Sequence, residues 1–357
     1  MSPVRARPRR RDDLAALEGY HSPQVDVAVR LNTNESPLPP PAAWREALAA
    51  EVAAIAWNRY PDRRAVELRA ALAAVHGVVP AQVLVAKGSN EVIQLLCLAY
   101  GGHGRVAVVF EPTYRLHGHI ASVTGTAVVH GGRAPDLTLD PDEVATVLGR
   151  ARPALTFVCS PNNPTGMLER PELVAEVVER APGVVVVDEA YGQFAPWSAL
   201  ELVDGDRPLV VTRTYSKTWS MAAARLGYLV GPDWLVADLE RVTLPYHLDA
   251  LTQVGGRLAL RFEAEMRDRV AMVVGERERL VAGLAQLGVE QWPSAANFVL
   301  FRVPGRDGGG VWRGLLERSV LVRDCSSWPG LDGCLRVTVG TPEEDDAFLG
   351  ALAEVLG

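Results

Sequence analysis

Residues 208–220 read PLVVTRTYSKTWS and join a short apolar run to a polar turn that contains Lys217. The apolar run at 208–211 predicts a buried strand, and Lys217 then follows just beyond the carboxyl end of that strand. Ligands of open α/β sheets bind outside the carboxyl ends of the strands. The stretch therefore predicts an α/β fold with a site at this edge of its sheet.

Lysine is rare in this chain. Of the 36 lysine and arginine residues, only Lys87 and Lys217 are lysines. A guanidinium stays protonated, whereas a lysine with a lowered pKa can condense with an aldehyde and can move a proton. We therefore interpret Lys217 as a catalytic residue rather than as a solvated surface lysine.

Size and composition limit the class of protein. The chain has 357 residues, 48% hydrophobic content and a mean hydropathy of +0.07, which predict a soluble protein with one large and one smaller domain. A net charge of -7 argues against a nucleic-acid partner, although residues 5–11 form a basic cluster, interpreted as a solvated tail. No stretch approaches the ~20 apolar residues of a membrane span. Four cysteines without metal-site spacing indicate a reduced, cytoplasmic chain with no metal.

Three apolar runs end on polar clusters. Strands and helices alternate from residue 83 to 230, which predicts a mostly parallel sheet covered on both faces. The clusters that follow three of these strands hold Asn163, Asp188 with Tyr191, and Lys217. If the strands are parallel, the clusters meet at one edge. A carboxylate at the tip of a four-valine strand, as at Asp188, is costly unless it has a cationic or hydrogen-bonding partner.

Two further segments are candidates for the same site. Residues 29–41 have no helical spacing and predict an extended strap, either a plain linker or part of the site. The turn Gly88-Ser89-Asn90-Glu91 opens a predicted helix, and backbone N–H groups at a helix N-terminus can bind a phosphate. Most such turns only cap helices, so this signal is weak alone.

These residues together suit pyridoxal 5'-phosphate. Its aldehyde needs Lys217, its ring nitrogen needs the carboxylate of Asp188, and its phenolic oxygen needs hydrogen bonds from Asn163 and Tyr191. Tyr114 is a flat partner for the ring. The candidate phosphate ligands are Ser89, Asn90, Thr214, Ser216 and Arg225.

The motifs resemble the fold-type I aminotransferases, and in detail the histidinol-phosphate aminotransferase family. The resemblance covers the chain from residue 20 to about residue 348 and is carried by LNTNE (31–35), RYP (59–61), PTY (112–114), SPNNPTG (160–166), DEAY (188–191), SK (216–217), LPYHL (244–248), ANF (296–298) and LRVTVGT (335–341). It implies a large domain with a mostly parallel sheet between helices and a smaller α+β domain. The implied boundaries are a tail and arm (1–30), a strap and helix (31–60), a large domain (61–260) and a small domain (261–357).

The resemblance also implies partners and substrates. Tyr60 would reach the cofactor phosphate of a partner subunit, which implies a homodimer with shared sites. The substrate's anionic end would contact Tyr20, Asn163, Arg323 and Arg336, with Asn297 nearby and Asn34, Glu35 and Tyr246 as second contacts. Two arginines suit a phosphate better than a carboxylate. The implied reaction of amino-acid biosynthesis transfers an amino group from histidinol phosphate to 2-oxoglutarate.

Two departures from the family pattern leave the substrate open. His117 stands where the family often has a second tyrosine, and the bulky Trp219 lies in a segment that is usually small. We expect both to reshape the substrate pocket without touching the cofactor residues. The alternatives are an amino acid or specialised-metabolite aminotransferase and, further off, a decarboxylase of a phosphorylated amino acid. A non-enzymatic regulator is disfavoured by the complete catalytic set.

Overall fold

The computed structural model describes residues 8–15, 17, 19 and 24–357. The predicted substrate contact Tyr20 and part of the basic cluster lie outside the described residues. The strands are β1 (Val29–Arg30), β2 (Val83–Ala86), β3 (Val106–Phe110), β4 (Ala127–Gly131), β5 (Leu155–Cys159), β6 (Val184–Asp188), β7 (Leu209–Thr214), β8 (Gly227–Val230), β9 (Glu290–Gln291), β10 (Phe298–Arg302), β11 (Val320–Leu321), β12 (Arg323–Asp324) and β13 (Cys334–Thr338). The α-helices are α1 (Ala42–Ala53), α2 (Val66–His76), α3 (Ser89–Tyr100), α4 (Leu116–Val123), α5 (Pro141–Ala151), α6 (Pro171–Arg180), α7 (Asp233–Val242), α8 (Ala250–Ala259), α9 (Glu263–Gln286), α10 (Gly308–Glu317) and α11 (Pro342–Leu356).

A seven-stranded sheet forms the centre of the molecule. Its strand order is β2-β8-β7-β6-β5-β3-β4, and only β8 runs against the other strands. The prediction of a mostly parallel α/β sheet is thereby confirmed. Its strands are apolar on both faces because helices cover both faces.

The four valines of β6 show how the layers are built. Val184 and Val186 pack into one core with α3 and α7, whereas Val185 and Val187 pack into another with α5 and α6. Alternate residues of a strand point to opposite faces, so a continuous run of valines fills both cores.

A second sheet lies in the carboxyl-terminal part of the chain. It is antiparallel, with the order β12-β13-β10-β9, and its apolar side packs with α9, α10 and α11. The predicted strap is extended and contributes β1, which pairs in parallel with β11. The start of the strap is therefore hydrogen-bonded to β11, which lies in the carboxyl-terminal part of the chain. The predicted domain boundaries remain a prediction.

Two segments differ from the sequence prediction. The stretch 251–287 is rich in arginine and glutamate and predicts a helical segment, but a 3-10 turn at Leu260–Phe262 separates α8 from α9. The glycines of 305–310 predict a flexible loop. The observed loop is shorter, because the Asp307 side chain accepts hydrogen bonds from the N–H groups of Gly309 and Gly310 and α10 begins at Gly308. Among the described residues, no helix is both long and apolar enough to cross a membrane.

Candidate active site

The ends of three neighbouring strands form the floor of a cavity of about 420 Å³. Strands β5, β6 and β7 are parallel, with Cys159 opposite Asp188 and Asp188 opposite Thr212. Lys217 follows three residues after the end of β7. Parallel strands end at the same edge, so the chain turns that follow them meet there.

Most of the sequence-predicted residues line this one cavity. The structure brings together Asn34, Glu35, Ser89, Asn90, Tyr114, Asn163, Asp188, Tyr191, Thr214, Ser216, Lys217, Arg225, Arg323 and Arg336. Tyr60, Tyr246 and Asn297 do not line it.

Asp188 is a buried carboxylate with three partners. Its side chain is nearly inaccessible, and Oδ1 accepts hydrogen bonds from Thr212 Oγ1 at 3.2 Å and from Ala190 N at 3.1 Å. Its Oδ2 lies 2.9 Å from His117 Nε2. These contacts meet the requirement that a buried charge be partnered.

His117 was expected to stand apart from the cofactor residues, and that expectation is wrong. The imidazole is fully buried, stacks on Phe157 at 4.9 Å between ring centroids, and contacts Asp188 rather than the cavity wall. The backbone N–H of His117 donates a hydrogen bond to the carbonyl of Tyr114, and the two rings make an edge contact with centroids 5.3 Å apart. Asp188 follows a run of valines, so its carboxylate needs a hydrogen-bonding partner. That need was the signal that could have identified His117.

Lys217 has a reactive amine at neutral pH. Burial, together with the positive charges of Arg336 and Arg225 and against the opposing charge of Glu35, lowers the pKa of Lys217 to about 7. Its Nζ donates a hydrogen bond to the carbonyl of Thr33 at 3.1 Å. A lysine with such a pKa is partly neutral at pH 7 and can act as a nucleophile or base.

Tyr191 lines the same cavity, and its hydroxyl keeps its proton at neutral pH. Its hydroxyl accepts hydrogen bonds from Asn34 Nδ2 at 2.9 Å and from Asn163 Nδ2 at 3.4 Å. Burial raises the pKa of Tyr191 to about 12, so the hydroxyl stays a donor at neutral pH. Asn34 holds this position in the left-handed region, with φ of 55°, where asparagine is tolerated better than most residues.

A cup of hydrogen-bond donors lies at the start of α3. The helix begins at Ser89, and Thr214 Oγ1 and Ser216 Oγ lie 2.9 Å apart beside it. Arg225 Nη1 lies 3.3 Å from Ser216 Oγ. Tyr114 closes one side, donating a hydrogen bond to Asn90 Oδ1 at 3.1 Å. Backbone N–H groups, hydroxyls and a guanidinium form a donor set that suits a phosphate dianion.

Two glycines make this cup possible. A side chain at Gly88, where φ is 79°, would place its Cβ 2.7 Å from Arg225 Nη2. A Cβ at Gly227 would lie 2.3 Å from the backbone nitrogen of Ser89. The absence of both Cβ atoms lets the arginine and the helix N-terminus approach each other, so the residues present fit pyridoxal 5'-phosphate.

Arginines surround the outer end of the cavity. The buried guanidinium of Arg336 donates from Nη1 to Asn163 Oδ1 and from Nη2 to the carbonyl of Asn32 at 2.9 Å. Its Nε has no hydrogen-bond partner within the described parts of the chain. Arg323 lies beside Trp328, with its Cζ 5.3 Å from the ring centroid.

Several predicted residues lie elsewhere. Tyr60 is 79% exposed and stacks on Tyr246, with ring centroids 4.5 Å apart. Asn297 is buried and donates to the carbonyls of Asn34 and Glu35, so it supports the strap. Trp219 was expected to reshape the pocket, but it is buried in the core and stacks on Tyr215 instead.

Sequence reasoning also missed some residues of the cavity wall. These include Asn32 and Thr33 of the strap, and Arg115 and Trp328 at the outer end. Asn32 and Thr33 lie inside the LNTNE motif, so their neighbours gave a signal. Trp328 follows a short strand in an irregular segment, where periodicity carries no information.

Residues 26–352 match the family model described as aminotransferase class I and II. The chain belongs to this family and is an aminotransferase. It is 49% identical to a histidinol-phosphate aminotransferase of Frankia casuarinae, over 97% of this chain and 90% of the relative. It is 46% identical to a histidinol-phosphate aminotransferase of Streptomyces avermitilis, over 97% of this chain and 96% of the relative.

Solved structures agree on the fold. The histidinol-phosphate aminotransferase of Sinorhizobium meliloti, solved in complex with pyridoxal-5'-phosphate, superposes with a TM-score of 0.89 at 23% identity. The match covers 98% of each chain. The similarity at this identity establishes the fold-type I aminotransferase architecture.

Proposed function

We propose that this protein is a pyridoxal 5'-phosphate-dependent histidinol-phosphate aminotransferase with 2-oxoglutarate as the amino acceptor. The observation that carries the proposal is the presence of Arg323 and Arg336 in the same cavity as Lys217. The shared name of relatives that are up to 49% identical supports the same substrate.

The geometry of the cavity supports a set of residues that would hold the cofactor. Ser89, Asn90, Thr214, Ser216 and Arg225 would bind its phosphate, and Tyr114 would face its ring. Asp188 would hold a proton on the ring nitrogen, and Asn163 and Tyr191 would donate hydrogen bonds to the ring oxygen. When bound, the cofactor supplies an aldehyde for the substrate amine and a ring that accepts electrons from the substrate carbon.

Lys217 would act as holder of the cofactor and as general base. Its Nζ, with a pKa of about 7, can take a proton from the substrate carbon and would pass it to the carbon of the cofactor's aldehyde group. The hydroxyl of Tyr191 remains a donor beside it. Arg323 and Arg336 would bind the anionic end of either substrate, which fixes the reacting carbon near Lys217.

We also propose a homodimer with shared sites, in which Tyr60 reaches the partner's cofactor. In support, Tyr60 and Leu244 are 79% and 73% exposed, which is unusual for large apolar side chains. Cytoplasmic location is proposed with it; the four cysteines are buried free thiols.

The test is a spectral titration of the purified, cofactor-loaded protein. Histidinol phosphate should bleach the visible band of the lysine-bound cofactor at lower concentration than phenylalanine or tyrosine does, and 2-oxoglutarate should restore the band. Lys217→Ala should lack the band. A response to aromatic amino acids with none to histidinol phosphate would instead support the rival amino acid aminotransferase.

A further inference from the structure

An arginine outside the predicted set lies at the outer end of the cavity. Arg115 follows Tyr114 at the start of α4 and lines the same cavity. Its Cζ lies 4.3 Å from the ring centroid of Trp328, and that of Arg323 lies 5.3 Å from the same ring. One indole therefore supports two guanidinium groups, an arrangement stabilised by cation–π attraction.

The indole is itself fixed. Trp328 is 8% exposed, and its Nε1 donates a hydrogen bond to the carbonyl of Thr113 at 3.1 Å. Thr113 precedes Tyr114 on the turn after β3, whereas Trp328 belongs to the loop between β12 and β13. This contact holds the Trp328 loop against the turn that carries Arg115.

Arg115 is held but not neutralised. Its Nη2 donates to the carbonyl and the hydroxyl of Ser327, the latter at 3.0 Å. Across the described residues, its Nε and Nη1 have no hydrogen-bond partner and no carboxylate lies within ion-pairing distance of it. Much of the side chain is exposed at the mouth of the cavity. A fixed guanidinium with free donors is organised to bind an anion.

The charges of the cavity leave an excess at this end. Counting the described residues, its wall holds four arginines, Lys217 and two carboxylates, although the whole chain has a net charge of -7. In the proposed function, the cofactor's ring nitrogen pairs with Asp188 and its phosphate with Arg225. At the outer end the guanidinium of Arg115 lies on the same indole as that of Arg323, and the carboxylate of Glu35 pairs with Arg30 at 3.1 Å. This balance suits a substrate with a dianionic end.

We propose that Arg115, together with Arg323 on the shared Trp328 platform, forms an outer anion subsite that binds the terminal phosphate of the amine substrate. Arg115 is then a specificity-determining residue, which favours amines with a phosphate end over the same amines without it. The inference rests on the proposed function and extends it to a residue that contacts neither the cofactor phosphate cup nor Lys217.

The test compares wild type, Arg115→Gln and Arg115→Lys with histidinol phosphate and with histidinol, which lacks the phosphate. A charge-assisted hydrogen bond contributes about 1.5–3 kcal/mol, so Arg115→Gln should raise KM for histidinol phosphate about 10- to 100-fold. The kcat for histidinol phosphate and the kcat/KM for histidinol should stay within about twofold of wild type. Arg115→Lys should recover part of the loss because it keeps the charge. Arg150→Gln, an exposed arginine at the end of α5, is the matched control and should have no effect.

Inorganic phosphate gives a second readout that does not depend on the natural substrate. Inorganic phosphate is tested as an inhibitor that competes with the best amine substrate. Its inhibition constant should be at least about fivefold higher for Arg115→Gln than for wild type. Equal inhibition of both proteins, or an equal rise of KM for histidinol phosphate and for histidinol, would overturn the subsite. A wild type that ignores histidinol phosphate would overturn the proposed function, whereas weaker phosphate inhibition of Arg115→Gln would still support the subsite.

Discussion

The reactivity of Lys217 depends on the charges around it as well as on burial. The buried amine is made less basic by burial and by Arg336, whereas Glu35 stabilises its charged form. Glu35 is a strap residue that lines the cavity and pairs with Arg30 at 3.1 Å. The balance between these neighbours sets how much of the amine is neutral at pH 7.

Removal of the Glu35 charge should lower the pKa of Lys217 below its value of about 7, because the charged amine loses its one favourable neighbour. The neutral fraction at pH 7 should then rise above roughly one half. The pH dependence of aldehyde modification of Lys217 in cofactor-free Glu35→Gln reports this change. Glu172→Gln, on the exposed start of α6, is the control. An upward shift in Glu35→Gln would contradict the electrostatic account.

His117 should matter for cofactor binding through Asp188. Replacement with phenylalanine keeps an aromatic ring on Phe157 but removes the hydrogen bond to Asp188 Oδ2. A hydrogen bond to a charged group contributes about 1.5–3 kcal/mol, so we expect cofactor affinity to fall about 10- to 100-fold. Equilibrium binding monitored by absorbance measures the change. His119→Phe, two residues along α4, should bind normally; an equal loss in both variants would point to helix damage.

Residues at strand ends could be predicted, whereas the partners of those residues could not. Asp188 and Lys217 were identifiable because burying an ionisable group next to an apolar run costs free energy unless that group has a partner. His117 and Trp219 were misplaced because the direction of a side chain depends on how α4 and the Lys217 loop pack. That packing is a long-range property which local spacing does not encode.

At the scale of elements, the contact between β8 and α3 defines the proposed phosphate cup. Gly227 is the first residue of β8, and because it has no side chain it can lie close to the backbone of Ser89 at the helix N-terminus. The same contact places Arg225 beside Gly88. Antiparallel β8 thus contributes to the site by its closeness to α3 rather than by a functional side chain.

Gly227→Ala should therefore weaken cofactor binding. The added methyl group meets backbone atoms, which cannot rotate away, and such overpacking costs about 1–3 kcal/mol. We expect a loss of cofactor affinity of roughly 5- to 100-fold by absorbance titration. Gly149→Ala is the matched control because a Cβ at this position in α5 meets nothing within 4 Å. Unchanged affinity in Gly227→Ala would show that the cup tolerates movement of α3.

The strap shows the limit of prediction at this scale. Its extended form was predictable from prolines and the lack of periodicity in 29–41. Its pairing partner β11 lies almost 300 residues away in sequence and could not be read from local pattern. The break at Leu260–Phe262 could not be predicted from the local pattern either, because helix-forming residues continue on both sides of it.

At the scale of the whole molecule, the proposed dimer predicts complementation between inactive chains. In this proposed dimer, Lys217→Ala would not hold the cofactor, and Tyr60→Ala would not reach the site of its partner. A mixed dimer has one site in which both side chains are present, so mixing the two purified variants should restore activity. We expect at most about a quarter of the wild-type activity for random exchange of subunits in equal mixture.

Mixing two separate preparations of Lys217→Ala is the control and should stay inactive. An equal mixture that stays inactive after proven subunit exchange would contradict the sharing of sites. A Tyr60→Ala protein with full activity alone would also contradict it, because the exposed tyrosine would then have no function in the site.

The strap has one more consequence. The carbonyls of two consecutive residues, Asn32 and Thr33, accept hydrogen bonds from the guanidinium of Arg336 and the amine of Lys217, respectively. The group that would bind the far end of the substrate and the group that would do the chemistry are thus hydrogen-bonded to adjacent peptide groups of the strap, which are joined at the Cα of Thr33. We therefore expect binding of the substrate's anionic end at Arg336 to change the hydrogen bond that holds the Lys217 amine.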